Sequence, residues 1–76
     1  MFEFGSEEAI KYGDIISSKL SGQKISKRID TADLPGGIKY EAKKLGLDWW
    51  ELLRALEGMC AKGKASEIDD STYLVA

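Results

Sequence analysis

Between Asp48 and Lys62 the apolar residues Trp49, Leu52, Leu53, Leu56, Met59 and Cys60 recur in steps of one helical turn. That period gives an amphipathic α-helix over about residues 48–62, with Asp48 placed to cap it, and its stripe is stable only when buried. A chain of 76 residues has room for one such core, because a domain this small buries only about 60% of its unfolded surface. We therefore read residues 1–76 as a single domain built around this helix.

The other elements follow from where the pattern is punctuated. Ser6, followed by Glu7 and Glu8, is a helix start: a serine oxygen can accept an orphan N–H, and the carboxylates suit the positive end of the helix dipole. Ala9, Tyr12, Ile16 and Leu20, with Ile15 beside them, mark a stripe over residues 6–20, and Gly22 ends it. In residues 24–29, Ile25 and Ile29 are four apart, which fits a helical turn as well as a strand. The flanking Gly22 and Asp30-Thr31-Ala32-Asp33 favour a short strand around Ile25. Pro35-Gly36-Gly37 is the strongest break. Ile38, Ala42 and Leu45 then form a short helix that Gly46 can close in the left-handed conformation. Residues 64–75 read as a hairpin turning at Asp69-Asp70-Ser71. Phe2 and Phe4 alternate with polar residues, as an edge strand would.

Composition bears on what such a domain can do. The apolar share is 43% and the charged share 32%, a balance that lets a chain fold unaided. There is no histidine and one cysteine, so neither a soft-metal site nor an internal disulfide is expected. The opening residues lack a basic segment followed by an apolar stretch, and no apolar run reaches the roughly 20 residues of a membrane span. The expectation is a cytoplasmic, reducing location with no membrane partner. Net charge is −2 but unevenly placed: residues 19–44 carry seven Lys or Arg against three Asp or Glu, a net +4, with −3 on either side. A basic middle attracts phosphate or an acidic partner, or is simply a solvated face.

Catalysis needs convergent groups. Cys60 sits on the apolar stripe, where a thiol serves as a small hydrophobe, and Gly36-Gly37 is too short to cradle a phosphate. Asp69-Asp70 lacks the ligand loop a hard cation requires. No enzyme activity and no cofactor are expected. Trp49 and Trp50 differ by about 100° around the helix, so Trp49 falls in the core stripe while Trp50 points away from its centre. There Trp50 is a contact residue or packs under the hairpin or the N-terminal strand.

The order helix, short strand, helix, tight turn, helix and terminal hairpin resembles winged-helix domains over residues 6–75. Residues 38–57 resemble a helix-turn-helix, with small Ala42, turn residue Gly46, anchor Leu47, and apolar Leu45, Leu52 and Ala55. The resemblance implies an α+β, winged-helix-like three-helix domain with a C-terminal β-hairpin. It also implies DNA binding through the exposed face of the third helix, which here would carry Trp50, Glu51, Arg54, Glu57, Gly58 and Ala61. Two carboxylates against one arginine oppose a row of phosphates. DNA contact would then rest on Lys39, Lys43 and Lys44 of the second helix, with Arg54 and with Lys62 and Lys64 at the wing. The leading expectation is a small DNA-binding transcriptional regulator. The alternative is a protein-protein interaction module, a homodimer included, using Trp50, Glu51, Arg54 and Glu57.

Overall fold

The computed structural model describes residues 5–76, so the edge strand expected from Phe2 and Phe4 lies outside it. The chain runs α1 (Ser6–Leu20), β1 (Lys24–Ser26), a 3-10 turn (Ile29–Thr31), α2 (Ile38–Leu45), α3 (Trp49–Ala61), β2 (Ala65–Asp69) and β3 (Thr72–Val75). It is an α+β fold, with three α-helices and an antiparallel sheet ordered β1-β3-β2. β3 is central, and its Tyr73 pairs with Ile25 on one side and Glu67 on the other. That register places Ile25, Tyr73 and Val75 in the core.

Local chemistry explains most boundaries. Gly46 adopts φ 75°, and Leu47 N–H reaches back to the Ala42 carbonyl at 2.9 Å, so α2 ends in the left-handed turn that glycine makes cheap. Two residues later Asp48 caps α3, and its backbone N–H donates to Glu51 Oε1 at 3.1 Å, one arm of a capping box. The start of α1 differs from expectation. Its cap position belongs to Gly5 at φ 79°, with Ser6 already inside the helix, because only a residue without a side chain fits there against the Arg54 backbone.

Ile16, Leu20, Ile25, Ala42, Leu52, Leu56, Met59 and Val75 form the centre of one hydrophobic core. Fully burying a leucine or isoleucine removes enough apolar surface to be worth about 1.5–3 kcal/mol, so these few side chains dominate the fold's stability. Ile15 departs from the expected stripe and is 39% exposed. Leu45 and Leu47 are half-buried against the core rather than enclosed.

The loop before α2 is held by two contacts that sequence alone does not announce. Gly37 is buried, bridges Ser26 of β1, and would place a Cβ 2.2 Å from the Thr31 carbonyl oxygen. Glu41 is 3% exposed, and its Oε2 accepts the Gly36 N–H at 3.2 Å. Pro35-Gly36-Gly37 is therefore a packed junction between β1 and α2 as well as a break.

Candidate functional site

α3 is pinned by α1, and this fixes which of its faces meets solvent. Arg54 Nε donates to Glu8 Oε1 at 2.7 Å, and Tyr12 donates its phenolic proton to Glu51 Oε2. Gly58 is buried beside Gly5 and Ala9. The expected recognition face is thus corrected: Glu51, Arg54 and Gly58 turn toward α1. The outward face carries Trp49, Trp50, Leu53, Glu57, Cys60 and Ala61, all half-buried or exposed.

Trp49 does not lie in the core, as the stripe suggested, but is 47% exposed, equal to Trp50. It occupies the first position of α3, immediately after the Gly46-Leu47-Asp48 turn. Leu53 and Cys60 continue the same face and keep part of their surface on the core, so the thiol is only half-buried. Burial pushes the Cys60 thiol above its usual range, and the nearby Glu67 and Glu57 charges add to this. The outward face of α3 is therefore aromatic and aliphatic, with Glu57 as its one charge among these residues.

The hydrogen bonds that tie α3 to α1 shift their own carboxylates. The Arg54 hydrogen bond lowers Glu8, and the Tyr12 hydroxyl and the Asp48 N–H lower Glu51. Both are stabilised as anions, in the manner of a carboxylate that accepts donors.

The lysines fall into two groups. Lys39, Lys43 and Lys44 are exposed on α2 around a shallow depression shared with Asp33 and Tyr40. Lys44 Nζ lies 5.6 Å from the Tyr40 ring centroid and 3.8 Å from Glu41 Oε1. Lys62 and Lys64 are exposed just past the C-terminal end of α3, about 20 Å along that helix from the turn joining it to α2. The hairpin tip that follows is acidic, with Asp69 and Asp70 exposed. Elsewhere in the basic middle, Lys27 bonds Glu67 at 2.6 Å and Arg28 bonds Asp30 at 3.1 Å. Among the described residues, the lysines of α2 and those past α3 are separate groups in sequence, with the acids of the hairpin tip following the second.

Sequence reasoning put Tyr12 on the core stripe, against which it does pack, used Glu7 and Glu8 only as helix-start carboxylates, and gave Lys11 no role. The structure gathers all four with Trp50 and Glu51 around a small notch between the start of α1 and the first turn of α3. The available signal was the single helical turn separating Glu8 from Tyr12 and the adjacency of Trp50 and Glu51, but pairing them requires the α1–α3 packing. Among the described residues, no cluster of three or more His, Cys, Asp or Glu is arranged to hold a metal ion, and no helix is long and apolar enough to cross a membrane.

No family model, curated protein or solved structure matches this chain.

Proposed function

We propose that this chain is a non-catalytic protein-interaction module on a winged-helix-like scaffold, with the outward face of α3 as its contact surface. The element order and the β1-β3-β2 sheet support the scaffold reading. The observation that carries the function is the pair Trp49 and Trp50, each 47% exposed at the start of a helix whose outward face is otherwise Leu53, Cys60 and Ala61 around Glu57. Tryptophan supplies a large, rigid contact area and is enriched where interfaces concentrate their binding energy.

The DNA reading asks more of the same surface. A recognition helix must meet phosphates and base edges with cationic or hydrogen-bonding side chains. On the outward face of α3 the charge is Glu57, and Arg54 is bonded to Glu8. The α2 lysines remain the support for nucleic acid. The half-buried thiol of Cys60 suits a reducing compartment such as the cytoplasm.

The test is a photoreactive amino acid placed at Leu53, on the outward face, and separately at exposed Lys19 in the last turn of α1, in cells that make the protein. A discrete protein adduct from position 53, absent from position 19 and lost in a Trp49→Ala/Trp50→Ala background, is the expected result. An adduct with a second copy of the chain counts equally. Indistinguishable adduct patterns from the two positions overturn the proposal.

A further inference from the structure

The notch between α1 and α3 has a chemistry that names part of the partner, on the premise that α3 contacts a protein. It has a cavity volume of 180 Å³ and is lined by Glu7, Glu8, Lys11, Tyr12, Trp50 and Glu51. That volume suits the head of one side chain. Its lining combines two aromatic rings with three carboxylates and a single ammonium.

We propose that this notch receives a cationic side chain, an arginine guanidinium or lysine ammonium, from the protein that binds the outward face of α3.

Three independent features carry the proposal. First, a half-exposed Trp50 ring bounds the notch, and indole is the best cation acceptor among aromatic side chains. Second, carboxylates outnumber cations at the notch, with Glu7, Glu8 and Glu51 beside Lys11 and the Arg54 that bonds Glu8. Arg54 satisfies one oxygen of Glu8, while Glu8 Oε2 is buried without a hydrogen-bond partner among the described residues. Third, the site already favours positive charge. Lys11 Nζ lies 5.2 Å from the Tyr12 ring centroid, so one cation already rests on an aromatic wall of the notch. Lys11 is exposed on α1, so it can swing aside for a cation delivered by a partner.

The last feature gives the proposal an unusual signature, because the resident lysine competes with the incoming one. Removing Lys11 should tighten binding, whereas removing Glu7 should weaken it. A merely sticky tryptophan would show neither effect.

The experiment titrates the folded chain with N-acetyl-arginine amide, N-acetyl-lysine amide and the neutral isostere N-acetyl-citrulline amide, following the Trp50 indole N–H by NMR. A Trp49→Phe variant assigns the two indole signals. The expected result is a saturable Trp50 shift with arginine, lysine or both by about 100 mM probe, and none with citrulline. Trp50→Ala, read at the Tyr12 ring, should weaken binding about two- to fivefold, as loss of a solvent-exposed cation–π contact does. Glu7→Gln should weaken it about twofold and Lys11→Ala strengthen it about twofold. An equal response to citrulline, no saturable shift with either cation, or weaker binding in Lys11→Ala overturns the proposal. Failure here with the position-53 adduct intact removes the cation site alone. Loss of that adduct instead removes the interaction module on which the site depends.

Discussion

Gly58 of α3 lies so close to Gly5, the cap of α1, that a Cβ on Gly58 would sit 2.4 Å from the Gly5 carbonyl oxygen and 2.7 Å from the Ala9 Cβ. Helix α3 therefore accepts a glycine near its end, where alanine would be intrinsically better by about 1 kcal/mol, to let the two helices touch. Gly13 of α1 offers the control, since a Cβ there meets nothing within 4 Å. Gly58→Ala should destabilise the fold by about 1–3 kcal/mol as an overpacked contact, and Gly13→Ala should stabilise it by about 0.5–1 kcal/mol. Urea melts of the two variants check the opposite signs. Equal or reversed effects would mean that α1 and α3 do not approach this closely.

Leu56 is fully buried at the centre of the same helix. Leu56→Ala removes a large apolar side chain and leaves a cavity that backbone helices cannot fully close. The expected loss is about 2–5 kcal/mol. A loss below about 1 kcal/mol in the same melts would place Leu56 outside the core.

These core assignments were legible because periodicity survives without tertiary information. The stripe of α3, the left-handed Gly46 and the Asp48 cap located the helix pair to within a residue or two, and the β-formers around Asp69-Asp70-Ser71 located the hairpin. What was illegible is the identity of the outward face. A helical wheel states that Glu51, Arg54 and Gly58 share one side, but only the approach of α1 decides that this side is covered. Gly58 was a local hint, since a glycine inside a helix costs stability and points to a close contact. Trp49 misled for a related reason. The stripe's period extends to it, yet the first position of α3 adjoins a turn and keeps only part of its ring covered. Glu41 could not be read as buried either, because its acceptor role depends on the Gly36 N–H supplied by a folded loop.

The α1–α3 contact also predicts how the fold responds to acid. Glu8 is held below its ordinary value of 4.5 by Arg54, and Glu51 below the same value by Tyr12. A carboxyl whose folded value is depressed adds stability above its unfolded value and loses it as pH falls through the folded value. The melting temperature should therefore be level near neutrality and decline once pH drops below about 4.5. Both groups contact solvent, which screens the size of the effect. Glu51→Gln should flatten part of this decline, because the amide cannot titrate while its oxygen can still accept a hydrogen bond. A melting profile unchanged by Glu51→Gln across this range would show that the Tyr12 bond is not formed in solution.

The final prediction separates protein contact from DNA contact by salt. The exposed lysines that share a face are Lys39, Lys43 and Lys44 on α2, whereas Lys62 and Lys64 lie past the far end of α3 and the hairpin tip carries Asp69 and Asp70. A duplex seated on α2 would therefore meet about three phosphates, and log affinity would fall with log salt at a slope near −2.7. Three such contacts are few beside the roughly six to ten phosphate contacts of strongly salt-dependent DNA binders. A fluorescent duplex titrated at about 10 mM salt, where attraction is least screened, should show no saturable binding at micromolar protein. Lys43→Glu/Lys44→Glu should accordingly leave the position-53 adduct largely intact and alter mainly the rate of its formation, since charges at the rim of an interface steer encounter more than they hold the complex. Trp50→Ala should instead cost that complex about 2 kcal/mol or more. Saturable duplex binding with a slope of −2.7 or steeper, abolished by the two lysine reversals, would return the domain to the nucleic-acid reading. It would also make α2, with Tyr40 at the centre of its lysines, the surface that carries function.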